Sequence, residues 1–414
     1  MKRNIFEEFE IRGIVKDCSN KDKLQQAVLD KSYIYIGFDP TADSMHIGHL
    51  VQILLLKRFK SFGLKPLIVL GGGTGRIGDP SFKKDERPLL NNNQIEKNVN
   101  GMKKQFERFL PDIKIVNNGD WLNDFLMTDF LRDVGKRFTL APLIKKDAIA
   151  SRIDKGLSIT EFFYTMLQAY DFYQLYTKYD CRIQCGGSDQ WGNIMSGLDL
   201  ISSYVGNDNS KAVGLTTNLI TKKNGQKFGK TESGAIWLDR DKTSDYEFYQ
   251  FFLNQDDIDT ANQLRWLSFL EYEEIKNLDK KANDVPHEKL MQKQLADEIT
   301  TFVRGDEGLK NAQQVSEALF KNDINKLNEL QIKNLSGITI IEIESKLDII
   351  TFLTKSGICS SNRESRLMIK DKSILINGKQ VDNENIIINN KIALFDKYLI
   401  IKKGKRNFYK IILN

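Results

Sequence analysis

Two imidazoles three residues apart, His46 and His49, stand on either side of Gly48 at the end of the run Tyr35-Ile-Gly-Phe-Asp-Pro-Thr-Ala-Asp-Ser-Met-His-Ile-Gly-His49. The chain has only 3 histidines, so two of them fall within one turn. A β-type stretch, Tyr33 to Phe38, precedes them and an apolar run, Leu50 to Leu56, follows. A strand that passes through the Asp39-Pro40 turn into a helix presents backbone N–H groups and the positive end of the helix dipole. Positions i and i+3 share a helix face, so both rings can meet one anion. Gly48 lets a phosphate or a flat ring approach the backbone. Zinc fits poorly, because helical zinc pairs sit at i and i+4 with a glutamate between them. Taken alone, His-x-x-His is more often two unrelated histidines. A second motif tips the balance. In Lys227-Phe-Gly-Lys-Thr231 two lysines flank a glycine, next to the polar segment Thr221-Lys-Lys-Asn-Gly-Gln226. Lysine-rich loops are usually just solvated. Cations around a hinge nevertheless suit a loop that closes over a departing polyphosphate. The two motifs together describe chemistry on phosphates, driven by charge stabilisation without a side-chain nucleophile.

Other polar groups stand where elements begin and end. Ser158-x-x-Glu161 predicts a capped helix start, after which Tyr164, Gln168 and Asp171 form a stripe at i, i+4 and i+7 among Phe162, Phe163, Tyr170 and Phe172. By itself such a stripe is usually the solvated face. Gln184-Cys-Gly-Gly-Ser-Asp-Gln190-Trp191 follows a β-type stretch around Arg182–Cys185 and has the composition of a turn. Gly71-Gly-Gly-Thr-Gly-Arg-Ile-Gly78 follows the stretch Pro66–Leu70 and contains a literal G-x-G-x-x-G. Asp79-Pro80 comes at once, and no acidic residue stands at the tip of a next strand about 20 residues on, where a dinucleotide site needs one. The stretch reads as backbone brought close to a bound nucleotide.

The elements that must position these groups follow from the pattern of the whole chain. Its 414 residues predict two to four domains, and 41% hydrophobic with 28% charged residues is the balance of a soluble globular protein. From about residue 30 to 230, β-type runs alternate with amphipathic helices, which predicts an α/β fold with a parallel sheet covered on both faces. From Asp241 to about Leu330 the pattern is helical, with a capping box expected at Ser244-x-x-Glu247 before Phe248, Phe251 and Phe252. Residues 331–346 read as a linker. From Leu347 a helical stretch and Ser361-Asn-Arg-Glu-Ser-Arg366 lead into short β-type runs at Ile374–Asn377, Ile386–Ile388 and Leu399–Lys402. This tail carries 13 Lys+Arg against 6 Asp+Glu, while the rest of the chain is nearly neutral. A polyanion would gain most there. The first residues, Met1-Lys-Arg-Asn-Ile-Phe-Glu-Glu, lack an apolar signal core, and no run of about 18 apolar residues occurs. Cys18, Cys181, Cys185 and Cys359 make no disulfide framework, and Cys181 and Cys185 read as buried thiols. The expected location is the cytoplasm.

On these residues the chain resembles the bacterial tyrosyl-tRNA synthetases, of the class I aminoacyl-tRNA synthetase family. His46-Ile-Gly-His49 matches that class's first signature and Lys227-Phe-Gly-Lys-Thr231 its second, and the resemblance runs over nearly the whole length. It implies a Rossmann-like parallel-sheet catalytic domain over 1–231, with an insertion at about 120–160 forming a homodimer interface. A helical anticodon-recognition domain over 232–330, the linker at 331–346 and a small α+β RNA-binding domain over 347–414 would follow. The last resembles the αL-type domain of a small-subunit ribosomal protein. The implied reaction activates L-tyrosine with ATP, accompanied by Mg²⁺, and transfers tyrosine to the 3′ end of tRNA(Tyr), with no membrane partner. The resemblance assigns His46, His49, Lys227, Lys230, Thr41, Lys83 and Arg87 to the phosphates. Tyr35 and Asp171 would bind the phenolic hydroxyl, Tyr164, Gln168 and Asp79 the ammonium, and Gln190 the carboxylate. Gly37, Asp39, Gly48, Gly187, Asp189 and Lys230 would line the nucleotide site, and Arg363, Arg366 and Lys370 would meet tRNA. Relatives often carry Met and Ser at Phe228 and Gly229, and Ser at Thr231, while Ile36 cannot hydrogen-bond a ribose. The rivals are tryptophanyl-tRNA synthetase, a small-molecule nucleotidyltransferase and a catalytically silent RNA-binding paralogue. The Tyr35/Asp171 pair and the basic tail oppose the first. The helical region with the tail opposes the second, and the intact histidines and lysines oppose the third.

Overall fold

The computed structural model describes residues 3–79, 90–146, 149–150, 153, 156–221, 228–231, 234–404 and 407–414, with the backbone alone at 230 and 231. Lys83, Arg87, Lys227, Lys405 and Arg406 lie outside the described residues, as does the side chain of Lys230. The chain divides into two compact units, Met1–Ala235 with Ala261–Asn277, and Ile236–Thr260 with Leu278–Asn414.

The first unit is built on six strands: β1 (Val15–Cys18), β2 (Tyr33–Phe38), β3 (Lys65–Leu70), β4 (Lys114–Asn117), β5 (Cys181–Gly187) and β6 (Val213–Thr217). Their order is β1-β6-β5-β2-β3-β4, all neighbours parallel except the β1–β6 edge pair. Central strands are covered on both faces, so β2 and β5 show near-continuous burial instead of alternation. Helices α1 (Ile47–Ser61), α2 (Asn92–Phe109), α3 (Ile159–Tyr179) and α4 (Trp191–Val205) belong to the same unit. The predicted box caps α3, with Ser158 and Glu161 each accepting from the other's backbone N–H. From β2 the chain moves to β3 and β4 on one side, while β5 and β6 lie on the other. The carboxyl ends of β2 and β5 therefore flank a topological switch point, where open α/β sheets bind ligands.

Two buried arginines explain why residues 261–277 belong to this unit. Arg12 donates to the carbonyls of Arg265 (3.0 Å) and Leu270 (2.7 Å), and Arg58, on α1, donates to that of Ser268 (2.6 Å). Carbonyls at a helix end lack partners within the helix, and these guanidinium groups supply them.

In the second unit α5 (Asp245–Leu253) packs along α6 (Leu290–Lys321), which breaks at Gly305 with φ 76°. The box expected at Ser244 is half formed. Ser244 accepts from Glu247 N, but Ser336 donates to the Glu247 carboxylate and accepts from Ser244 N. The tail contributes α7 (Ile349–Lys355), α8 (Asn362–Lys370) and a five-stranded sheet ordered Lys379–Gln380, Ile374–Ile376, Tyr398–Lys403, Asn407–Leu413, Thr339–Ile343. The last of these strands lies inside the expected linker, which corrects that reading. Thr339–Ile343 pairs in parallel with Asn407–Leu413. The buried Lys410 ammonium donates to the carbonyls of Lys333 (2.9 Å) and Leu335 (2.7 Å). Val315, Leu319, Ile332 and Leu335 also share one apolar cluster with Tyr398 and Ile400. Apolar burial on this scale fixes the segment in place.

Candidate active site

A cavity of about 370 Å³ opens at the carboxyl ends of β2 and β5. That volume suits a ligand larger than one amino acid. Fourteen residues singled out from the sequence line it: Tyr35, Gly37, Asp39, Thr41, His46, Gly48, His49, Asp79, Tyr164, Gln168, Asp171, Gly187, Asp189 and Gln190.

His46 is the N-cap of α1, and its Nδ1 accepts from Gly48 N at 3.0 Å. His49 Nδ1 accepts from His46 N at 3.2 Å. The rings stack with centroids 4.0 Å apart and planes 22° from parallel. With each Nδ1 occupied as an acceptor, a neutral ring carries its hydrogen on Nε2, so each histidine is a donor along its outer edge. Glycine at 48 is required by this arrangement, since a Cβ there would lie 2.8 Å from His46 Cε1. The second signature reaches the same helix end. Gly229 holds φ +92°, and a Cβ on it would lie 3.2 Å from Gly48 N. Left-handed backbone and close approach together account for glycine in this chain. Phe228, with Ile36, Val51, Leu55, Leu219 and Ile220, lines a smaller apolar cavity beside Gly48.

At the other end of the cavity the Asp171 carboxylate is held by two donors, Trp121 Nε1 and Asn118 Nδ2, each at 2.8 Å. Asn118 is fixed in turn, its Oδ1 accepting from Gly73 N at 2.8 Å. Burial pushes the Asp171 carboxyl up to about 7, against the pull of those two donors. The Tyr35 ring lies against Phe172, centroids 5.4 Å apart, and its buried hydroxyl has no hydrogen-bond partner among the described residues. Burial, followed by the Asp171 charge, raises the Tyr35 hydroxyl above its ordinary range. Asn118 and Trp121 went unread in the sequence because β4, just before them, was missed. A polar Asn117-Asn118 pair at the carboxyl end of a parallel strand was the available signal.

Between these ends sit two carboxylates. Asp39 accepts from Thr74 Oγ1 (3.0 Å) and from the Tyr164 hydroxyl (3.1 Å). Asp79 accepts from Gln190 Nε2 at 2.9 Å. Their charges suit a cationic ligand group. Gly187 makes room for Asp189, whose Oδ1 would lie 2.6 Å from a Cβ there. In the Gly71–Gly78 stretch, Gly72 N and Gly73 N donate to Asn117 and Asn118, and a Cβ on Gly72 would lie 2.2 Å from Asn117 Oδ1. Gly71 and Thr74 of that stretch line the cavity, while a Cβ on Gly75 would lie 3.0 Å from Pro40 Cδ. Cys181 and Cys185 are buried free thiols whose pKa burial raises. Among the described residues no group of three or more His, Cys, Asp or Glu could hold a metal ion.

In the second unit Arg363, Arg366 and Lys370 are exposed along one face of α8, with Arg366 3.5 Å from Glu384. Lys402 and Lys403, part of the tail's excess of cations, are tied into the fold. Lys402 donates to Asn322 Oδ1 at 2.7 Å, and Lys403 to Glu364 and to the Ile358 carbonyl, both within the fold.

A histidine pair at the switch point of a parallel sheet, facing two carboxylates across one cavity, defines a nucleotide-using α/β enzyme. The family described as class I tRNA synthetases (W and Y) matches residues 29–321, and a tyrosine–tRNA ligase SYY-like C-terminal domain matches residues 329–411. The tyrosine–tRNA ligase of Mycoplasma capricolum is 48% identical over 414 residues, 100% of both chains. That of Limosilactobacillus fermentum is 42% identical over 410 residues, 98% of each. The crystal structure of a C-terminally truncated mitochondrial tyrosyl-tRNA synthetase from Aspergillus nidulans is similar with a TM-score of 0.69 at 29% identity, covering 77% of this chain and 95% of that one. The chain belongs to the class I aminoacyl-tRNA synthetases of the tryptophan and tyrosine group, and within it to the tyrosine–tRNA ligases.

Proposed function

We propose that this cavity joins L-tyrosine to ATP and then to tRNA(Tyr). In the first step a tyrosine carboxylate oxygen bonds to the α-phosphorus of ATP while the bond to the pyrophosphate oxygen breaks. Rate comes from positioning and from stabilising charge that grows on the phosphates. The Nε2 donors of His46 and His49, the Thr41 hydroxyl and the cations Lys227, Lys230, Lys83 and Arg87 would serve the phosphates. Mg²⁺, a hard cation, would arrive with the ATP oxygens. Asp189 would accept from the ribose, Gly37, Asp39, Gly48 and Gly187 would flank the nucleotide, and the apolar cavity at Phe228 would take a flat base. In the second step a 3′-terminal ribose hydroxyl of tRNA attacks the tyrosyl carbonyl and releases AMP.

What carries tyrosine over tryptophan is the buried Tyr35 hydroxyl, which has no partner among the described residues, in a pocket shared with the firmly held Asp171 carboxylate. A phenol supplies both an acceptor for Tyr35 and a donor to Asp171. ATP–pyrophosphate exchange measured with each of the twenty amino acids tests this, and exchange driven by tryptophan would overturn it. A homodimer through the 120–160 insertion is supported by Leu126 (66%), Met127 (70%), Leu140 (64%) and Ile159 (73%), large apolar side chains left exposed in or beside it. Cytoplasmic residence is supported by the four free thiols.

Tyr35→Phe should narrow discrimination between tyrosine and phenylalanine by about 0.5–1.5 kcal/mol, the value of one neutral hydrogen bond. The thermal midpoint should hold or rise, since the lost hydroxyl has no partner among the described residues. Competitive activation of the two amino acids reads the first effect, and selectivity equal to wild type would remove Tyr35 from the pair.

Tyrosine affinity should depend on pH through Asp171. The free carboxyl keeps its proton up to about 7, and a phenol donating to it favours the ionised form. Binding therefore releases a proton below that pH. Affinity should rise with pH toward about 7 and level off above it, and Asp171→Asn should abolish the slope. Fluorescence titration with tyrosine across pH would show the opposite slope if the phenol accepted from a protonated Asp171.

A further inference from the structure

Asn193 lies on α4, is 5% exposed and does not line the cavity, yet two of its hydrogen bonds reach Gln168 and Gln190, which do. Its Nδ2 donates to Gln168 Oε1 (3.0 Å) and to Gln190 Oε1 (3.3 Å), while its Oδ1 accepts from the buried Thr165 hydroxyl (3.0 Å). Gln190 Nε2 donates in turn to Asp79 Oδ2 at 2.9 Å, and Gln168 Nε2 to Gln190 Oε1 at 3.3 Å.

The direction of every bond in this chain is determined. An ionised carboxylate only accepts, so Gln190 must turn its NH₂ toward Asp79 and its oxygen toward Asn193. Asn193 must then turn its own NH₂ toward Gln190, which leaves its oxygen for the Thr165 hydroxyl. The second N–H of Asn193 meets Gln168 and fixes that amide as well. A glutamine amide is nearly symmetric in shape, and rotation by half a turn exchanges donor and acceptor at little steric cost.

We infer that Asn193 is a positioning residue that sets the amide polarity of Gln168 and Gln190, so that Gln190 meets the substrate carboxylate with N–H. This rests on the proposed tyrosine-activating function and on the role that the family resemblance assigns to Gln190, contact with the substrate carboxylate. With an acceptor at position 193 Gln168 gains by reversing, and Gln190 stands between two acceptors, so the orientation set by Asp79 alone is no longer favoured. In the reversed orientation Gln190 sets an oxygen against Asp79 and against the substrate carboxylate. Replacing Asn193 by an isosteric acceptor inverts the site, while replacing it by an apolar group of similar size only releases it.

The test compares Asn193→Asp with Asn193→Leu at pH 8 in ATP–pyrophosphate exchange. The aspartate variant should lose about 10–100-fold in kcat/KM for tyrosine, the range of one hydrogen bond to a charged group. The leucine variant should lose less, and KM for ATP should stay within about twofold in both. Tyrosinol, which keeps the ammonium but lacks the carboxylate, should bind the aspartate variant about as well as wild type. A purely structural role predicts the reverse order, with leucine at least as damaging as aspartate and tyrosine and tyrosinol weakened alike. Either result overturns the inference. Gln190→Ala separates the two layers. Intact tyrosine activation in that variant would sink the reading of Gln190 itself, whereas its collapse beside a fully active Asn193→Asp would sink only the role of Asn193.

Discussion

His46→Asn should bind tyrosine with near-normal affinity and form tyrosyl-adenylate about 10²–10³-fold more slowly, the usual cost of removing one donor that meets transition-state charge. The substitution isolates that donor. His46 caps α1 by accepting from Gly48 N through Nδ1, and asparagine is among the best N-caps, so its side-chain oxygen can take over the bond. The ring edge carrying Nε2–H has no counterpart in the shorter side chain. Helix and pocket should therefore persist while phosphate stabilisation is lost. His46→Ala would confound the two, because it also removes the cap at a cost of about 0.5–2 kcal/mol. Lys230→Ala should share the phenotype if the loop delivers its cation to the same phosphates. Single-turnover pyrophosphate release, titrated with tyrosine, separates the effects. A tyrosine affinity that collapses while the activation step keeps its rate would remove His46 from the phosphate site.

The parts of this site that could be read from sequence share a physical basis. His46, His49 and Gly48 were legible because strand, turn and helix start follow one another within fifteen residues, so local rules fix their geometry. The stripe Tyr164, Gln168, Asp171 was legible as a helix face for the same reason. Its orientation toward a cavity was not, since an amphipathic pattern does not say which polar face is solvated. Asn118 and Trp121 escaped because their partner Asp171 is 53 and 50 residues away in sequence, and Asn193 because Gln168 and Thr165 are 25 and 28 residues away. In the fold, β2 and β3 stood out as long apolar runs. The edge strands β1 (Val-Lys-Asp-Cys) and β4 (Lys-Ile-Val-Asn) are four residues long and half polar, below what pattern alone can separate from a loop. Thr339–Ile343 reads as linker in the sequence because its partner strand, Asn407–Leu413, lies far downstream and pairs with it in parallel. Such pairing leaves no hairpin signature at either end.

Charge on α8 should govern tRNA binding and leave amino-acid activation untouched. Deleting the chain from Leu347 is a poor test of this. It would strip Thr339–Ile343 of its partner strand Asn407–Leu413, remove the Lys410 ammonium from the carbonyls of Lys333 and Leu335, and uncover the cluster around Leu319 and Ile332. Any loss of charging would then mix unfolding with lost RNA contact. Replacing Arg363, Arg366 and Lys370 together by glutamine removes three exposed cations from one face and disturbs no buried bond. The single ion pair involved, Arg366 with Glu384, is long and exposed and so contributes little to stability. Each phosphate contact releases condensed counterions and adds roughly 0.7–0.9 to the slope of log affinity against log salt. The triple variant should therefore bind tRNA with a slope about 2 smaller than wild type, and its affinity deficit should be largest at low salt. Tyrosine-dependent ATP–pyrophosphate exchange should be unchanged, because the described residues that line the proposed activation cavity all precede Ile220. Shape and phosphate geometry of the RNA should matter more than base identity at this face. Filter binding across a salt series, run beside the exchange assay, measures both quantities. Equal slopes for variant and wild type would place the tRNA contacts of the tail on a surface other than α8.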